Sequence, residues 1–126
     1  PVHARAVHWA HQKGIYANLH SCGDVMSLMD DILSTGVDAL NPLEVKAGMD
    51  SLLLKQKYGD RLVLQGGINA VLWDQKDAII AEIERLVPAL KQGGGYIFSS
   101  DHSIPNSVSA ENFRAILDTV KRVGRY

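Results

Sequence analysis

Ile15-Tyr16-Ala17-Asn18-Leu19-His20-Ser21-Cys22-Gly23-Asp24 begins with a short apolar run, Ile15 to Leu19, and ends in a polar turn. A strongly amphipathic stretch follows it. A strand therefore ends at about Leu19, and a helix begins just after Asp24. In α/β sheets the carboxyl end of a strand is where ligands bind. His20 and Cys22 are two residues apart, so on extended backbone their side chains share a face. An imidazole beside a thiol at such a place suits zinc or thiolate chemistry.

The pattern repeats on either side. Val2, Ala6, Val7 and Ala10 form one apolar face of a helix over about 2–13, with Gly14 as its stop. Asp24 is positioned to N-cap the next helix, whose apolar residues Val25, Leu28, Met29, Ile32 and Leu33 follow the i, i+3, i+4, i+7, i+8 series. Gly36 stops it. Val37 to Asn41 reads as a strand ended by Pro42, and Glu44 to Met49 as a loop. Asp50 starts a helix closed by Gly59. Arg61 to Gln65 is the third strand and runs into Gly66-Gly67-Ile68-Asn69. Asp74 is the expected cap of the longest helix, about 75–91, with Pro88 expected to kink its last turn. Tyr96 to Ser99 is the fourth strand, and Ser109 caps a helix over about 110–123.

One helix followed by four strand–helix units is an α/β chain with parallel strands and right-handed crossovers. Residues 1–126 read as a single domain, with no linker or low-complexity tract. A closed (β/α)8 barrel takes about 250 residues, and four units are half of one. Alone they leave two bare strand edges, which calls for either an open layer or a half-barrel that pairs with another half. The chain opens in helical character with no initiator Met, as a piece of something longer would.

Composition excludes several classes of function. A net charge of −1 gives no basic footprint for nucleic acid or an anionic membrane. No apolar run approaches the roughly 20 residues that span a bilayer. Cys22 is the single cysteine, so no internal disulfide forms, and a reducing, cytoplasmic location is expected.

Parallel topology gathers all strand–helix loops on one face. His20, Cys22, Asn41, Glu44, Asn69, Asp101 and His102 are the polar residues it brings there. His20, Cys22 and His102 make a possible three-ligand zinc set, with Glu44 or water in a fourth position. Glu44, Asp101 and His102 are the candidate acid–base groups. Asn41, Gly66, Gly67 and Asn69 are the candidate cofactor-binding positions, since a glycine pair can offer backbone N–H groups to phosphate. Plainer roles compete. A lone His-x-Cys often serves packing or hydrogen bonding, and Cys22 can be a small core residue. His102 can stabilise its own turn. His3, His8 and His11 read as a solvated helix face, and Trp9 and Trp73 as packing. Asp101-His102 has no identifiable serine nucleophile, so no triad is read.

His20-Ser21-Cys22-Gly23-Asp24, Gly36-Val37-Asp38-Ala39-Leu40-Asn41, Lys57-Tyr58-Gly59-Asp60, Gly66-Gly67-Ile68, Gly94-Gly95-Tyr96-Ile97 and Asp101-His102-Ser103-Ile104-Pro105, with Glu111-Asn112, stand in an order that resembles the uroporphyrinogen decarboxylase superfamily. The likeness is to the branch of decarboxylase-like proteins and corrinoid-dependent methyltransferases. It covers nearly the whole chain but only the C-terminal third of those longer proteins. It implies the C-terminal half of a TIM (β/α)8 barrel. In the methyltransferases, a His-x-Cys after one strand and a Cys after the last strand hold zinc. His20 and Cys22 match the first motif, and His102 stands where the last Cys would be. In the decarboxylases, a metal-free histidine in the final loop lies near the tetrapyrrole, and His102 matches it. Gly66-Gly67-Ile68 departs from the decarboxylase pattern, and the N-terminal arginine-rich substrate motif has no counterpart here.

Three readings follow, two from the resemblance and a third from the bare strand edges and small core. In the first, zinc on His20, Cys22 and His102 activates a thiol that takes a methyl group from a corrinoid protein. In the second, a metal-free pocket uses His102 and Asp101 to move protons at a pyrrole carboxylate. In the third, a non-catalytic half-barrel associates with its own copy, or waits for an N-terminal barrel half.

Overall fold

The computed structural model describes residues 2–126. Helix α1 is Val2–Gln12. Strand β1 (Asn18–His20) leads through a one-turn 3-10 helix, Met26–Leu28, into α2 (Met29–Ser34). Strand β2 (Ala39–Leu43) precedes α3 (Ser51–Tyr58), and β3 (Val63–Gly66) precedes α4 (Lys76–Leu90). Strand β4 (Tyr96–Ile97) precedes α5 (Ala110–Val123). The sheet order is β1-β2-β3-β4, parallel throughout. Asn18 pairs with Ala39, Ala39 with Val63, and Leu64 with Tyr96. Consecutive strands are thus neighbours, as helical crossovers of one hand require.

The two faces of the sheet differ. Leu40, Leu64 and Tyr96 are buried, and they join Leu54, Ile79, Ile83 and Ile116 in one core cluster under the helices. The Tyr96 hydroxyl donates to the Gly66 carbonyl at 2.9 Å, which satisfies a phenol buried beside the strand. On the alternate positions Asn18, His20 and Ile97 are exposed, and Asn41 and Gln65 are half-buried. Asn18 Nδ2 reaches Gln65 Oε1 at 3.0 Å across small Ala39, the β2 residue paired with Asn18. This second face has no helix layer.

Local capping explains where elements begin. Asp50 Oδ1 accepts the Leu53 N–H at 3.0 Å, and Ser109 Oγ accepts the Asn112 N–H at 3.1 Å, as expected of N-caps. Two expected caps act otherwise. Asp24 Oδ1 takes the Met26 N–H at 2.9 Å, forming a turn that delays α2 to Met29. Asp74 Oδ2 accepts from the Ser107 hydroxyl and its carbonyl from Asn112 Nδ2, each at 3.0 Å, so it anchors the start of α5 rather than α4. Pro42 does not end β2. The strand runs to Leu43 through a cis Asn41–Pro42 peptide, and the β2–β3 register shifts between Leu40 and Leu43, where proline offers no ladder N–H. Pro88 sits in the last turn of α4, which ends at Leu90.

At the opposite end, His11 is exposed, as expected of a solvated helix face, and also makes a cross-element contact. Its Nε2 lies 2.8 Å from Asp38 Oδ2, which also accepts the Ala17 N–H at 2.6 Å, and the two contacts tie α1 to β1 and β2. Trp73 is buried between Phe98 and Phe113, as a packing residue should be. Trp9 is 59% exposed on α1. Among the described residues, no helix is long and apolar enough to cross a membrane.

The two faces should respond differently to truncation. Leu64→Ala should cost about 2–5 kcal/mol in urea unfolding, while Ile97→Ala on the face without helices should stay within about 0.5 kcal/mol.

Candidate functional site

The four strand–helix loops open at one end of the sheet. At the end of β1, His20 Nε2 lies 3.4 Å from Cys22 Sγ, so the imidazole and the thiol share a face and touch. His20 Nδ1 lies 2.9 Å from Asn41 Oδ1 on the next strand. An acceptor on Nδ1 fixes the proton there and turns Nε2 toward the sulfur. Both His20 and Cys22 are exposed.

The carboxylates at this rim hold backbone. Glu44 is 9% exposed, and its Oε2 accepts the Gly23 N–H at 2.7 Å. Its Oε1 lies 3.5 Å from Lys46 Nζ. The Gly23 N–H foremost, then the charges of Lys46 and His102, lower the Glu44 pKa against the opposing effect of burial. Asp101 has no solvent exposure. Its Oδ1 accepts the Ala70 N–H at 2.7 Å, and its Oδ2 accepts the Val45 N–H at 3.0 Å. Its own N–H donates to the Ile68 carbonyl at 2.9 Å. A carboxylate with both oxygens engaged and no path to solvent is a clamp between loops.

The expected cofactor positions are each engaged with the protein's own side chains or backbone. Gly66 and Gly67 are buried, with φ of 106° and 77°. A Cβ on Gly66 would lie 3.0 Å from the Leu43 nitrogen, and one on Gly67 would lie 3.0 Å from Ser51 Cβ. These glycines let β3 approach β2 and α3, and they do not form an open phosphate cradle. Asn69 Oδ1 accepts the Val71 N–H at 3.0 Å and caps a short 3-10 turn, while its N–H donates to Glu82 Oε1 at 2.8 Å. Asn41 is committed to His20.

His102 is exposed, and its backbone N–H reaches Ser100 Oγ at 3.5 Å. The expected ligand trio of His20, Cys22 and His102 does not assemble. Among the described residues, no group of three His, Cys, Asp or Glu side chains is arranged to hold a metal ion. Two adjacent ligands are fewer than the three or four a protein zinc site uses, so no step through zinc is derived.

The family model described as Uroporphyrinogen decarboxylase (URO-D) matches residues 1–123. The chain belongs to that family. It is similar to the protein named uroporphyrinogen decarboxylase of Psychromonas ingrahamii, at 29% identity over 93 residues, 73% of this chain and 25% of that protein. The namesake of Chloroherpeton thalassium is 28% identical over 108 residues, 82% of this chain and 30% of the relative. That of Pseudomonas putida is 29% identical over 97 residues, 73% of this chain and 25% of the relative. The chain thus spans about a quarter to three-tenths of the relatives' length. Four parallel strands in consecutive order, one face covered by helices, fit half of a TIM barrel.

For a family member, the face without helices is the one a barrel turns inward. Its polar residues Asn18 and Gln65, and Lys46 at the rim, were not singled out from the sequence. Period-two alternation in β1 and β3 was the available signal for the first two. Nothing local marked Lys46.

Glu44 predicts an acid response. Its folded pKa lies below 4.5, so its contribution is complete above that value and disappears as pH falls through the folded pKa. Glu44→Gln should therefore be less stable than wild type near neutrality, with the gap closing on acidification in pH-dependent urea unfolding. Asp101→Ala leaves two loop N–H groups without acceptors and should cost about 2–5 kcal/mol in the same measurement.

Proposed function

We propose that this chain supplies one wall of a metal-free tetrapyrrole decarboxylation site, with His102 as the proton donor. The observation that carries this is the exposed His102 imidazole at the carboxyl-end rim, in a chain of this family whose matched relatives are named as uroporphyrinogen decarboxylases. Decarboxylation breaks the bond between the side-chain carbon and the carboxylate, releases carbon dioxide and puts a proton on that carbon. His102 supplies that proton and is reprotonated from solvent. Lys46 offers a donor to another of the substrate's carboxylates. Asp101 holds the loop that carries His102. The test is carbon dioxide release from uroporphyrinogen by the protein and by His102→Asn. The variant should lose about 100-fold or more in turnover. Unchanged turnover would remove His102 from the chemistry.

The 3.4 Å contact of His20 and Cys22, with Asn41 on the other ring nitrogen, favours a second reading: zinc-dependent methyl transfer from a corrinoid protein to a thiol. His20 and Cys22 would hold the metal with further ligands from beyond this pair, and zinc would supply thiol activation. One zinc per chain in native mass spectrometry, lost in Cys22→Ser, would favour this reading. Metal-free protein that binds uroporphyrinogen would favour the first.

In either reading the free edges of β1 and β4 need cover, from a second copy or from an N-terminal barrel half. Exposed Trp9 on α1, on the β1 side, and Phe113 on α5, on the β4 side, support such a contact. Solution mass separates a dimer from a monomer.

A further inference from the structure

We propose that Asp101 is a positioning residue that sets the place of the His20–Cys22 pair through Val45, Glu44 and Gly23. Three carboxylates join the four rim loops. Asp101, after β4, takes the N–H of Val45 after β2 and of Ala70 after β3. Glu44, the residue before Val45, takes the N–H of Gly23, the residue after Cys22. Glu82 on α4 takes the N–H of Asn69, the residue before Ala70. Two hydrogen bonds and two peptide links therefore run from a wholly buried carboxylate to the exposed thiol. A displacement of the β4 loop pulls on Val45, turns the Glu44 side chain and moves Gly23. The inference deepens the proposed function, since it rests on that reading for taking this rim as the working face.

Cys22 is the single cysteine and reports on this linkage without any substrate. The experiment measures the rate of Cys22 alkylation by iodoacetamide at neutral pH in chelator-treated protein. Asp101→Asn keeps the size but presents an amide to one of the two N–H groups. It should change the rate about threefold or more, Glu44→Gln should change it in the same direction, and Ile116→Val, a core change remote from the rim, should leave it within about twofold. An unchanged rate in Asp101→Asn, or an equal change in Ile116→Val, overturns the proposal. Should Asp101→Asn not fold, hydrogen exchange on the unaltered protein decides. Linked loops give Gly23, Val45 and Ala70 amides protection within about threefold of one another, and independent loops give values spread over orders of magnitude. Neither readout involves uroporphyrinogen, so the linkage and the decarboxylase reading fail separately.

Discussion

The structure depends on burying one face of a parallel sheet. Leu40 and Leu64 have no solvent exposure, and they pack with Ile79, Ile83 and Leu54 from the helices. That burial fixes the register, because a one-residue slip would put Asn41 and Gln65 under the helices. The parallel direction of the strands sends all four loops to one end. The candidate site is a consequence of that arrangement, since its residues come from positions as far apart as His20 and His102.

Charge at the rim is spent largely on holding backbone. Asp101, Glu44 and Glu82 accept loop N–H groups that would otherwise lack partners away from water. The exposed groups at the rim include the nitrogen and sulfur of His20, Cys22, Lys46 and His102.

Much of this was legible in the sequence. Helical periodicity and glycine stops located five helices and four strands. Asp50 and Ser109 acted as the caps their positions implied. The contact of His20 with Cys22 was suggested by their spacing at the end of β1. Asp24 and Asp74 were misread because a short acidic side chain can serve a turn or a distant loop as readily as the nearest helix. The burial of Asp101 was not legible, because its oxygens meet N–H groups 56 and 31 residues away in sequence, and no local pattern encodes such a contact. The placement of His102 relative to His20 and Cys22 was not legible for a related reason. Topology places loops at one end but does not bring side chain to side chain.

The central claim is that the carboxyl-end rim of the sheet is the tetrapyrrole-facing surface. Ring-proton NMR of the five histidines during titration with uroporphyrin, the stable oxidised analogue, tests it most directly. The account predicts shifts at His20 and His102 that saturate together, with His3, His8 and His11 unmoved. Binding that shifts the α1 histidines and leaves His20 and His102 in place would contradict it.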